Sequence, residues 1–170
     1  MPIDECTSTF AELATTVLPK YMGAMHEALK GQHPLSGFCT PGVGVKTILT
    51  GLGRSRDFSG CYVLLRDGKP FYVGISRGVI GRLRQHSTGS TEFNATLAYR
   101  MANERVPHEM TRSEAMKDPA FRAAFDEAQT LLRGCTVAFI EIPNPLELYL
   151  FEAYCAMALD TCEWNTFKTH

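Results

Sequence analysis

The stretch "SGCYVLLRDGKPFYVGISRG", Ser59 to Gly78, decides how the rest of the chain is read. Two runs rich in β-branched and aromatic residues flank an Asp67-Gly68 turn signal, which is the pattern of a β-hairpin. One arm carries Tyr62 two residues after Gly60, and the other carries Tyr72 two residues before Gly74. A hairpin needs neither arrangement, so something has to lie against that face of the sheet.

The register decides whether the two phenols meet. A loop of Asp67-Gly68 alone pairs Tyr62 with Val73 and turns Tyr72 to the opposite face. A loop of Arg66-Asp67-Gly68, with Gly68 left-handed and a bulge, sets Tyr62 directly opposite Tyr72. Gly68 fits either loop. Only the second makes a site, and it is the expected register. Gly74 follows Tyr72 on the same face and leaves room for a bulky group to approach the backbone.

Outward from the hairpin, "GVIGRLRQH" reads as a helix over 78–87. Val79, Ile80 and Leu83 form its apolar stripe. Arg82 and His86, four apart, flank that stripe where core meets solvent, and an arginine there can reach a phosphate bidentately. Residues 94–132 read as further helices broken near Pro107 and at Asp118-Pro119, and "CTVAFIEI", 135–142, reads as a third strand. Asn144 then caps a helix running to about Asp160, with Pro145 in its first turn and Glu147 at the third position. Upstream, 8–31 reads as helical, capped by Thr7 or Ser8 and divided by Pro19, and 32–44 reads as a Gly/Pro-rich linker. "GVGVKT" lacks phosphate-loop spacing. The expected fold is a small α/β (α+β) domain with a three-stranded, mostly antiparallel sheet flanked by helices. Residues 1–45 form an N-terminal helical extension and linker, and 46–170 form the main domain.

The last helix carries the clearest anomaly. In "LYLFEAYCAMAL", Glu152 is the only charged residue between 148 and 159. An ionised carboxylate among Leu148, Tyr149, Cys155 and Ala156 costs several kcal/mol unless it is compensated. The candidate compensators are an arginine such as Arg82 or a divalent cation.

Composition sets the frame. The chain has 170 residues, 45% of them hydrophobic, so a sizeable core is expected. No apolar run approaches membrane-spanning length, and "MPIDECTSTF" lacks the basic and apolar parts of a secretory leader. Six cysteines without a C-x-x-C pair read as reduced thiols of a cytoplasmic protein. The net charge of −1 hides a division: 46–100 carries net +6 between flanks of −2 and −5. A basic middle suits a local anionic contact. The single tryptophan, Trp164, is expected in the core.

Together, "GCYVLL" and "FYVGIS" resemble the paired strands of the GIY-YIG nuclease family, with Cys61 and Val73 in place of the middle isoleucines. Arg82, ten residues after Tyr72, falls where that family has its helix arginine, and His86 matches a histidine one turn later in several members. Glu152 followed by Trp164-Asn165 matches the glutamate helix and closing asparagine. The resemblance covers residues 59–167, while 87–134 is longer than in the smallest members and 1–58 has no counterpart in the core.

The resemblance implies metal-dependent hydrolysis of DNA phosphodiesters. Glu152 is expected to bind one Mg²⁺ or Mn²⁺. Tyr62 is expected to act as general base on the attacking water and Tyr72 to orient water or phosphate. Arg82 is expected to stabilise the developing charge, His86 to hydrogen-bond Tyr62 or phosphate and share its proton, and Asn165 to anchor the site. Lys69, Arg77 and Arg84, with the opening at Gly74, are expected to contact DNA, helped by Lys46, Arg54 and Arg56. Two other readings compete with this one: a DNA-binding module without catalysis, and a protein-interaction domain on the same fold.

Overall fold

A computed structural model of the chain describes residues 2–167. It is a mixed α/β fold whose sheet has four strands in the order β1-β4-β2-β3. The strands are β1 (His33–Pro34), β2 (Gly60–Arg66), β3 (Lys69–Ser76) and β4 (Thr136–Glu141), with β2 antiparallel to both β3 and β4. The expected three-stranded sheet is therefore corrected to four. The extra strand hides in a segment that Gly and Pro mark as linker. Pro34 has no N–H to donate, and an edge strand tolerates that.

Two compact units divide the described chain: 2–33, 56–79 and 136–167 in the first, and 34–55 with 80–135 in the second. They do not follow the expected boundary at 45/46. In the first unit the N-terminal helices pack on the sheet because α2 (Leu18–Lys30) has an apolar side to bury. Leu18, Met22 and Met25 join Cys61, Val63, Val73 and Ala138 from one face of the sheet, and Leu148, Phe151 and Cys155 from α8 (Pro145–Ala158) complete this core. α2 and α8 thus share the Cys61 side of the sheet.

Upstream of α2, the short helix α1 (Phe10–Glu12) is capped by Thr9, whose hydroxyl accepts from the Glu12 N–H while the Glu12 carboxylate accepts from the Thr9 N–H. The cap lies one or two residues later than expected, because only Thr9 has a glutamate three positions on. Pro19 does not break the helix. A wider π turn over Leu13–Val17 precedes it and absorbs its missing N–H and its bulk.

Asn144 caps α8 as expected, accepting from the Glu147 N–H at 3.1 Å. The Glu147 carboxylate does not turn back to close the box. It accepts from Tyr21 Oη at 2.6 Å and from Cys6 Sγ at 3.9 Å. Burial first, and then this carboxylate, push the Tyr21 phenol well above its usual range. Asn144 Nδ2 donates to Asp4 O at 2.9 Å. The N-terminal segment is therefore a strut on the first turn of α8.

The second unit holds α3 (Val45–Gly51), most of α4 (Val79–Thr88), α5 (Thr96–Arg105), α6 (Arg112–Ala115) and α7 (Pro119–Arg133). α5 packs on α7, and Tyr99, Phe121 and His108 form an aromatic cluster. Asp118 caps α7 just before Pro119, so this break falls where the sequence marks it. Gln129 Nε2 and Arg133 Nη1 donate to Gly89 O and Ser87 O, tying α7 to the end of α4.

Candidate active site

The hairpin differs from the expected register. Arg66 pairs with Lys69 around a two-residue loop. Asp67 and Gly68 both have positive φ, 52° and 75°, as a type I′ turn requires. Leu65 pairs with Pro70 and Leu64 with Tyr72, so Phe71 is an extra residue in β3. Pro70 suits such a bulge on an edge strand because its ring cannot serve a regular ladder. Beyond the bulge Tyr62 pairs with Gly74, not Tyr72. The two phenols still share a face, as neighbours on a diagonal, with ring centroids 6.2 Å apart.

Gly74 takes a different part from the one expected. A Cβ built there falls 2.4 Å from Tyr62 Oη and 2.5 Å from Cζ. The space that the glycine leaves is filled by the Tyr62 ring, not left open for DNA. Tyr62 is 1% exposed and its hydroxyl end rests on the edge strand, whereas Tyr72 is half-buried. Gly60 answers the other half of the pattern: a Cβ there would lie 2.1 Å from the Ile140 carbonyl oxygen, a close approach between β2 and β4.

Asn165 closes the outer edge of β3. Its Nδ2 donates to Val73 O at 2.7 Å, and the Val73 N–H donates to its Oδ1 at 2.8 Å. It thus imitates one residue of a further strand, at the position between Tyr72 and Gly74. Its own N–H donates to Thr161 O, and Trp164 beside it is buried, as expected. These bonds tie Asn165 to the backbone of β3.

Glu152 sits on α8, on the Cys61 side of the sheet, whereas Tyr62 and Tyr72 project from the other side. Among the described residues it makes no hydrogen bond and no ion pair. It is half-buried, and burial raises its carboxyl above the usual range. Its charge acts on Cys61. That thiol is pushed well up by burial first, then by its contact with Cys155, then by Glu152. Glu152 therefore reaches the residue next to Tyr62 in sequence but lies in the opposite layer. All six cysteines are free thiols.

In the second unit Arg82 is half-buried and well anchored. Its Nη1 donates to Asn94 O at 2.9 Å and Gln85 Oε1 at 3.3 Å, and its Nη2 to Thr96 Oγ1 at 2.7 Å. Its Nε–H and one Nη2 proton remain available for an anion. His86 is fully buried, not at the core boundary. Burial first, and then the Arg82 charge, lower its pKa from 6.5 to about 3. It is therefore neutral near pH 7.

The basic candidates are spread along the elements. Lys69 and Arg77 are exposed at opposite ends of β3, roughly 26 Å apart at the usual rise of a strand. Arg84 is half-buried on α4. Among the described residues no group of three His, Cys, Asp or Glu side chains could hold a metal ion. Also among them, no helix is long and apolar enough to cross a membrane.

No protein-family model, curated protein or solved structure matches the chain. Sequence reasoning missed the Phe71 bulge, for which Pro70 was the available signal. It also missed the Tyr21–Glu147 tie, which no local pattern announces.

Proposed function

We propose that the protein is a divalent-cation-dependent DNA endonuclease of the GIY-YIG type. The observation that carries this reading is the backbone-built phenol site. Tyr62 lies over Gly74, Tyr72 lies 6.2 Å away by ring centroid, and Asn165 holds the strand residue between Tyr72 and Gly74. Ordinary cross-strand packing asks for neither the glycine nor the asparagine.

In this reading Tyr62 Oη accepts a proton from the attacking water. An unperturbed phenol has a pKa of about 10, so a nearby positive charge must lower it. Tyr72, more exposed, orients the phosphate or the water. The free Nε–H edge of Arg82 binds the phosphoryl oxygens as negative charge builds there. Neutral His86 takes a packing and hydrogen-bonding role on α4. Glu152 fits a hard cation: it is a single carboxylate, desolvated, with no partner among the described residues, and Mg²⁺ or Mn²⁺ keeps several waters when bound by so few protein ligands. The bound ion would supply positive charge at the scissile phosphate.

The test is nicking of supercoiled plasmid with Mg²⁺ by wild type, Tyr62→Phe and Glu152→Ala. Wild type should cut, and each variant should be slower by about a hundredfold or more. If Glu152→Ala cut as fast as wild type, the assignment would fail. A second reading, a DNA-binding module without catalysis, draws on the burial of Tyr62 and on Glu152 lying in the opposite layer. Binding without cutting by all three proteins would favour it.

A further inference from the structure

Where β3 ends and α8 begins, the first unit contains a cavity of about 220 Å³. Ile75, Pro145 and Leu148 give it apolar walls, and Ser76, Arg77 and Tyr149 form its polar and aromatic rim. Tyr149 is 68% exposed. Neither its ring nor the exposed Arg77 guanidinium has a partner among the described residues. Elsewhere in this unit the sheet aromatics are paired, as His33 with Phe139 and Tyr62 with Tyr72.

The position adds direction. Tyr149 and Glu152 are three residues apart on α8, and Leu148 and Glu152 four apart, so they share one face of the helix. One turn, a rise of roughly 5 Å, separates the cavity from the carboxylate. That is about the length of one nucleotide step. A free aromatic face, an apolar wall and an unpaired guanidinium are the combination that stacks a base and holds its phosphate. A base inside a duplex has both faces covered and cannot enter.

We propose that this cavity takes one unstacked nucleobase of single-stranded DNA, stacked on Tyr149 with its phosphate on Arg77. The proposal rests on the nuclease reading and specifies its substrate: DNA with at least one unpaired nucleotide.

The test uses the full chain in EDTA, so that binding is read without cleavage. Labelled oligothymidine and a duplex of equal length are titrated by fluorescence anisotropy against wild type, Tyr149→Ala, Tyr149→Trp and Arg77→Gln. Tyr149 is exposed, so its variants should fold, which circular dichroism checks. Wild type should bind oligothymidine more tightly than duplex. Tyr149→Ala should weaken oligothymidine roughly tenfold and leave duplex unchanged, and Tyr149→Trp should restore it. Arg77→Gln should weaken binding and flatten its salt dependence. Equal binding by Tyr149→Ala and wild type overturns the proposal, as does equal loss on both DNAs or no binding by wild type. Plasmid nicking in Mg²⁺ separates the two readings. Nicking with an inert Tyr149 removes the base site and keeps the nuclease, whereas the Tyr149 effect without nicking does the reverse.

Discussion

The β2–β3 hairpin and helix α8 are both credited with site residues, yet they hold them in opposite ways. In the hairpin each special feature satisfies another. Gly74 yields its Cβ space to Tyr62, the Phe71 bulge keeps Tyr62 and Tyr72 on one face, and Asn165 pairs the free edge at Val73. On α8 the singular residue is in deficit: Glu152 is desolvated and has no partner among the described residues. A fold retains complementary features for its own stability. It retains a group in deficit only where something outside folding needs it. The hairpin is therefore the scaffold of the proposed site, and Glu152 is its exposed cost.

The sharpest way to break that contrast is Gly74→Ala. A methyl group 2.4 Å from Tyr62 Oη cannot be absorbed without moving a buried ring. Overpacking of this kind costs about 1–3 kcal/mol, at about 2–4 °C in Tm per kcal/mol for a chain of this size. The proposed nuclease activity should fall with it, because the phenol moves. Tyr62→Phe removes the nearest atom and relieves part of the clash. Thermal melts of the two single variants and the double variant should therefore be non-additive. Additive losses would show that Gly74 serves something other than the ring.

Asn165→Ala tests the edge. It strands the Val73 N–H and C=O on the open side of β3, where water replaces part of what is lost. A cost of about 1–2 kcal/mol is expected. The specific readout is hydrogen exchange at the Val73 amide, which should become fast while the amides of α7 stay protected. Unchanged protection at Val73 would mean the asparagine is not its partner in solution.

These features were unequally legible in the sequence. Strands β2, β3 and β4, α4, the Asn144 cap and the Asp118-Pro119 break follow from local patterns of period, turn and cap residues, whereas β1 does not. Placing both phenols on one face was also readable, because Tyr62 and Tyr72 have no purpose otherwise. The pairing was not. A bulge is a local slip in one strand, and Pro70 in "KPFYVG" signals an irregular ladder without fixing the extra residue at Phe71. The burial of His86 was hidden because a helix stripe tells which residues face inward only to within a residue or so. The fit of the Tyr62 ring over Gly74 depends on side-chain direction, which spacing does not encode.

Glu152→Gln carries the smallest stability change and the most informative sign. The folded carboxyl is raised above its unfolded value by burial. Between those two values the folded state binds more protons, so stability falls as pH rises through that window and stays lowered above it. Glutamine removes the penalty. The variant should therefore be more stable than wild type at pH 7 and no more stable below both carboxyl values. Because the group is half-exposed, the gain should stay under about 1 kcal/mol, or at most about 2–4 °C in Tm. Adding Mg²⁺ should then raise the Tm of wild type but not of Glu152→Gln, since a ligand of the native state stabilises by mass action. A drop in Tm at pH 7 would reverse the argument. It would mean that the carboxylate already has a favourable partner in the native protein, and that α8, like the hairpin, is complete without a cation.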